Sequence, residues 1–382
     1  MYTEKIRRGE FFFLTFCHLL QYLSILHYTD RLARNDTWLV IIIGYFLSIP
    51  FILIYTSLAK RFPSKNLLEI FTLVFGKIIG TIILILYLAF FIYVVSRQLD
   101  DISGFFTTTF QPETPPILFE LLAVIASAVI LATGIEHLAK LCFIFALTAA
   151  FFIISTVLLL IQDMDFSNFL PILRHEPSSY LKSIIGFAFI PGSYVLFQFL
   201  LTPQLESTKK LTELTLAGYS MGVLFLLIVV LRNTATLGYM SDVVISASFS
   251  AARVINVGKI LTRIDFAIST NIMVMILVTI CIYYYGAAKA LAQLFGLKSF
   301  KCFIIPCGIA ALILSSTLFQ SSVEHIEFSR IYNLPALGVF SLAFPPAALL
   351  VARLRGLKDA AGSGGMPGSS NSPAAEASNG QE

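Results

Sequence analysis

Charge is what this 382-residue chain has least of: Asp, Glu, Lys and Arg together make only 13%. A soluble domain of this size carries about a quarter, so an ordinary water-soluble globule is excluded. Tryptophan occurs once, and any aromatic belt at a membrane boundary must therefore lean on the 15 tyrosines. The five cysteines, Cys17, Cys142, Cys281, Cys302 and Cys307, form no CxxC pair, and Cys302 and Cys307 have no His or carboxylate nearby at ligand spacing, which leaves small packing residues as the expectation. A Gly-rich phosphate loop, HExxH, GxSxG and a paired set of buried carboxylates are all missing. No enzyme, no cofactor, no metal site and no nucleic-acid partner is expected. After MYTEKIRRGE no small-residue cleavage site follows the first apolar run, so no cleavable signal peptide is expected.

What is present is apolar length. Hydrophobic residues make 57% of the chain and mean hydropathy is +0.85. A membrane-crossing helix needs about 20 mostly apolar residues. Ten spans meet this, at about 11–29, 37–59, 79–99, 115–135, 140–161, 183–203, 214–232, 266–287, 302–322 and 332–353. With the N-terminus inside, 16 of the 26 Lys and Arg fall on the inner side, which places both termini inside. Four of the outer cations, Arg232, Arg253, Lys259 and Arg263, surround the long connection after the seventh span. Within it SFSAARVINVGKIL has helical spacing and predicts a short surface helix. The chain divides into a transmembrane domain, 1–355, and a tail, 356–382, rich in Gly, Ala, Ser, Pro and Asn, which is expected to be disordered. Five spans before the loop at 162–182 and five after it place the second half upside down, the geometry of an inverted repeat.

In that geometry the first and sixth spans are equivalent. The sixth reads GFAFIPGSYVLFQF over 186–199, with Pro191 and Gly192 at its centre. Two readings are open. One is a half-helix junction whose freed backbone groups face a ligand. The other is a plain proline kink. The first span carries His18, Gln21, Tyr22 and Ser24, of which the first three share a face. Such a face must meet protein or water, either a neighbouring helix or a cavity. In the third span Tyr93, Ser96 and Arg97 share a face, with Asp100 placed for an interfacial ion pair. Asn271 in the eighth span is a cavity candidate or a packing residue. Tyr283, Tyr284 and Tyr285 read as interface anchors.

Six stretches add up in order: LARNDTW (32–38), RFPSKNLLEIFTLVFGKIIG (61–80), PETP (112–115), GIEHLAK (134–140), DMDFSNFLPIL (163–173) and ILTRIDFA (260–267). Together they resemble the GerAB-type spore germination permeases over about residues 5–355. The resemblance implies an all-α integral membrane fold of ten helices with a LeuT/APC-like 5+5 inverted repeat, from the amino acid–polyamine–organocation superfamily. It implies a discontinuous sixth helix and leaves the first open, because QYLSILHYT lacks the small residue and proline usual there. The implied role is a germinant-binding subunit in the inner membrane of spores. Its implied partners are an A-type subunit, a C-type lipoprotein subunit, the lipid bilayer and a small nutrient such as an amino acid. Carried over by position, the substrate-binding residues are Gln21, Tyr22, Ser24, Phe189, Ile190, Pro191, Gly192 and Ser193, with Tyr93 and Asn271 at the sides. The alternative is a secondary active transporter of amino acids or related small organic solutes, and a third reading is a subunit whose pocket is idle.

Overall fold

The computed structural model describes residues 5–24, 26, 32–242, 244, 247–254, 264–318 and 338–359. The described residues are almost entirely helical. We number the α-helices α1 (Arg8–Leu20), α2 (Thr37–Arg61), α3 (Leu67–Phe75), α4 (Lys77–Thr109), α5 (Pro116–Thr133), α6 (Ile135–Leu160), α7 (Pro177–Gln198), α8 (Leu211–Leu237), α9 (Ala247–Val254), α10 (Ile264–Leu294), α11 (Ile304–Leu318) and α12 (Phe344–Leu354). Among the described residues, eight helical stretches are long and apolar enough to cross a membrane. In the described part of the first expected span the helix passes into 310 geometry after Leu20, and in the described part of the last a π-helical turn, Val339–Ala343, precedes α12. The expected short helix in the long connection is α9. The tail beyond Asp359 lies outside the described residues.

The helices bury one face and leave the other apolar. Phe46, Ile78, Leu122, Phe151, Leu158 and Ile305 are all exposed. In water such a surface drives aggregation; against acyl chains it costs nothing. Where helices meet, small residues bring backbones close. A methyl group at Gly218 of α8 would lie 2.8 Å from the Phe12 carbonyl oxygen, and one at Gly222 would lie 2.5 Å from Leu19. These two glycines let α8 press directly on α1.

The turn at the start of the last helix has a clear cause. Pro345 and Pro346 have no N–H to offer the carbonyls four and five residues back. The freed carbonyls are used elsewhere: Tyr55 on α2 donates to Ser341 O at 2.9 Å, and Tyr87 on α4 donates to Phe340 O. Two long helices are thereby clamped to one π turn. Several expectations change here. Tyr283, Tyr284 and Tyr285 are fully buried rather than at an interface. Tyr284 donates to Ile304 O and Tyr285 accepts from Gln204 Nε2 at 2.6 Å. Arg97 is 6% exposed, and its ion pair at 2.8 Å is with Asp101, one helical turn on, so it is an internal pair and not a snorkelling one.

Candidate functional site

Helix α1 and the segments flanking it meet the second half of α7 and the 310 turn that follows it. At the foot, Ile6 N–H donates to Gln204 O at 2.8 Å, and Glu206 N–H donates to Ile6 O at 3.0 Å. Lys5 Nζ donates to Pro203 O at 2.7 Å. Higher up, Phe11 stacks on Phe199 with centroids 6.4 Å apart. Next, Thr15 Oγ1 lies 2.8 Å from Gln198 Oε1, and Gln198 Nε2 lies 3.2 Å from His18 Nδ1. The His18 ring stacks on Tyr194 at 4.9 Å. At the top, Tyr22 meets Phe187 edge-on at 5.3 Å. From Phe11 to Tyr22 the partners run in reverse order, Phe199 to Phe187, whereas the backbone pairing of Ile6 with Leu205 at the foot is parallel.

This seam carries a polar knot in a dry setting. Thr15, His18, Gln21 and Gln198 are each at most 1% exposed. With Gln198 Nε2 as donor, His18 Nδ1 is the acceptor, and the proton of the neutral imidazole sits on Nε2. His18 Nε2 and Gln21 Oε1 are both buried without a hydrogen-bond partner among the described residues. One is a donor and the other an acceptor, three residues apart on one helix face. An unmet buried polar atom costs about 1–3 kcal/mol, so a partner for either atom would be stabilising. The surroundings are aromatic: Tyr283 stands edge-on to His18 at 6.0 Å, and Phe197 packs on Tyr283 at 5.0 Å.

The backbone breaks in α1, at this level. After Leu20 the chain tightens into a 310 turn, Gln21–Ser24. Gln21 Nε2 donates to Ser24 Oγ at 3.0 Å, and Ser24 Oγ donates to Gln21 O at 2.9 Å. Side chains thus close the turn in the absence of Gly or Pro. The expected break at Pro191–Gly192 is not found there. Helix α7 runs unbroken from Pro177 to Gln198, and its change to 310 geometry comes at Phe199–Gln204. The reason is packing. Pro191 and Gly192 are buried, Ser193 Oγ donates to Ile190 O at 2.7 Å, and the Gly192 face lies against Ser48 of α2.

Tyr22 reaches Phe187 of α7, and Gln21 and Ser24 stand with it on the 310 turn and bond each other. Phe189 points elsewhere, edge-on to Phe51 of α2 at 5.5 Å. Tyr93 is half-buried on α4. Asn271 donates to Thr148 Oγ1 of α6 at 3.3 Å and lines a different, small cavity with Arg232. The sequence singles out His18 but gives no sign of its pairing with Gln198. Tyr194 carried no signal at all, since a lone tyrosine in an apolar run does not announce a histidine 176 residues upstream.

Known proteins with similar sequence and shape agree. A family model described as spore germination protein matches residues 5–323. Spore germination protein KB of Bacillus subtilis is 23% identical over 336 residues, which is 86% of this chain and 90% of that one. YfkT of the same strain is 21% identical over 330 residues, 85% of this chain and 89% of its own. Among solved structures, the Eremococcus coleocola manganese transporter, in complex with an aromatic bis-isothiourea compound, superposes with a TM-score of 0.54 at 14% identity, covering 91% of this chain and 76% of the transporter. A mutant of that transporter gives 0.52 at 12% identity, covering 90% of this chain and 76% of its own. These likenesses show the LeuT/APC-like fold class expected from the sequence.

Proposed function

The chain belongs to the spore germination protein family, and on that premise we propose that it is the germinant-binding membrane subunit of a spore germination receptor. It is a multi-pass helical membrane protein on a transporter-like fold. The observation that carries the finer reading is the seam between α1 and α7. There a buried donor, His18 Nε2, and a buried acceptor, Gln21 Oε1, stand unmet beside a broken helix.

An amino acid or similar small nutrient has both complements. Its carboxylate accepts from His18, and its ammonium donates to Gln21. Gln21, Tyr22 and Ser24, with Ile190, Pro191, Gly192 and Ser193, form the proposed site, with Tyr93 at its side; Phe189, which packs on Phe51, and Asn271, which lines the separate Arg232 cavity, stand outside it. Binding satisfies polar atoms only in the geometry that presents them together, so a ligand shifts the chain toward that geometry. We place the protein in the spore inner membrane with both termini cytoplasmic, working with A-type and C-type lipoprotein subunits that pass the shift on. The family membership and the excess of Lys and Arg on the inner side support this placement.

The transporter-like fold favours one rival, a secondary active transporter of amino acids or related small organic solutes. Purified protein in proteoliposomes separates the two. Ligand-dependent stabilisation by a member of an amino-acid panel, lost in His18→Phe and without gradient-driven uptake, is the expected result. Saturable uptake driven by a gradient establishes the transporter instead.

A further inference from the structure

Arg232 lies near the end of α8 and is 3% exposed. Its partners are neutral. Nε and Nη2 donate to Asn233 Oδ1 at 3.2 and 2.7 Å, and Nη1 donates to Thr156 Oγ1 of α6. No carboxylate among the described residues lies within 4 Å of the guanidinium. Arg97, the other buried arginine among the described residues, has its acid at 2.8 Å. A guanidinium uses five N–H groups, and three are spoken for. A buried cation without a counter-charge is strongly unfavourable, and in membrane helices such a residue normally faces a partner or a watery cavity.

Arg232 does face a cavity. Its volume is about 20 Å³, and its walls include Leu23, Thr156, Ser248, Ile268 and Asn271. A single water needs about 10–15 Å³ of such space. That space fits one particle of water or halide size. Its polar wall carries donors from Arg232, Ser248 and Asn271, while the Thr156 hydroxyl donates to Ile153 O and accepts from Arg232, and among the described residues no wall residue carries negative charge. Size and charge select the same occupant.

We propose that this cavity, enclosed by α6, α8, α9 and α10, binds one small monovalent anion of the halide class at Arg232. The site is separate from the α1–α7 seam and does not depend on the nutrient reading. It touches that seam at one place, because Leu23 belongs to the 310 turn that breaks α1. An anion there supports the turn from its far side.

The test uses the full chain purified in detergent, at constant ionic strength, with chloride exchanged for gluconate. Chloride and bromide are expected to raise Tm saturably, by on the order of 2 °C, and gluconate is not. Arg232→Gln abolishes the chloride dependence. Thr156→Val keeps it but moves the half-saturating chloride concentration up by roughly fivefold, the scale of one lost hydrogen bond. A wild-type Tm indifferent to chloride, or a dependence that survives in Arg232→Gln, overturns the proposal. So does a response to acetate without one to chloride, which assigns the site to a carboxylate. If Arg232→Gln does not fold, chloride NMR on the wild type decides: line broadening relieved by bromide supports the site, and its absence removes it.

Discussion

Replacing Gln198 by Met tests the α1–α7 knot at its centre. The side chains are similar in length, so packing is nearly kept and the loss is polar. Two contacts go: Thr15 Oγ1 to Gln198 Oε1 at 2.8 Å, and Gln198 Nε2 to His18 Nδ1 at 3.2 Å. They are not equal. Thr15 Oγ1 is also 2.8 Å from Phe11 O, so its proton keeps a home and that loss costs about 0.5–1.5 kcal/mol. His18 Nδ1 has no second partner described and becomes an orphan, which costs about 1–3 kcal/mol. The expected destabilisation is roughly 2–4 kcal/mol. Unfolding of detergent-solubilised protein by SDS, followed by circular dichroism, measures it. His18→Phe supplies the control, because a phenyl ring retains the stacking on Tyr194 and needs no hydrogen bond. In that background Gln198→Met strands nothing on residue 18, and its cost falls to the Thr15 share. The cycle should therefore show a coupling of about 1–3 kcal/mol. Additive effects would refute the reasoning, since they would mean that the two side chains do not depend on each other.

Other perturbations follow from the packing. Gly222→Leu places a side chain where Leu19 already sits at 2.5 Å, and loss of folded, monodisperse protein is expected on size exclusion. Gly186→Ala meets nothing within 4 Å and gains up to about 1 kcal/mol of helix propensity, so the same assay should show no loss. Tyr55→Phe leaves the Ser341 carbonyl without its donor at 2.9 Å and should cost about 1–3 kcal/mol in SDS unfolding. Asp36→Ala removes the acceptor for Leu173 N–H at 2.9 Å and for Tyr180 OH. The 163–173 loop should then be cut faster by protease, with the helices intact.

Three of the six stretches that carried the family resemblance do structural work. In LARNDTW, Asn35 Nδ2 donates to the Phe169 and Pro171 carbonyls at 3.0 Å, and Asp36 accepts from Leu173. One motif thus ties down another, DMDFSNFLPIL. In RFPSKNLLEIF, Asn66 caps α3 by accepting from Leu68 and Glu69 N–H, while Glu69 accepts from Asn66 N–H at 3.0 Å. Gly76, at φ 82°, makes the turn into α4. Caps, turns and apolar length are local features, which is why fold class and most helix ranges are legible in the chain. The α1–α7 knot is not local. Thr15 and Gln198 stand 183 residues apart, and no pattern in either segment names the other.

The same distinction explains why the helix break was expected in one place and found in another. Proline and glycine are permissive signals: they weaken a helix but do not oblige it to open. At Pro191 the lost hydrogen bond is a single one, and burial against α2 holds the remaining turns in register. At Gln21 nothing in the backbone chemistry demands a break, yet the side chains of Gln21 and Ser24 form a closed pair with the local carbonyl. That pair competes with α-helical bonding in the way short polar side chains do. A break held by side chains is easier to reverse than one fixed by proline, because a ligand that accepts from or donates to Gln21 changes the competition directly. Ser24→Ala isolates this point. It removes the hydroxyl that both bonds share and leaves Pro191 untouched, so the balance at the break should move toward continuous helix. Hydrogen exchange at residues 21–24 reads that shift as increased protection. Unchanged protection would mean that the surrounding helices, and not this pair, hold the break open.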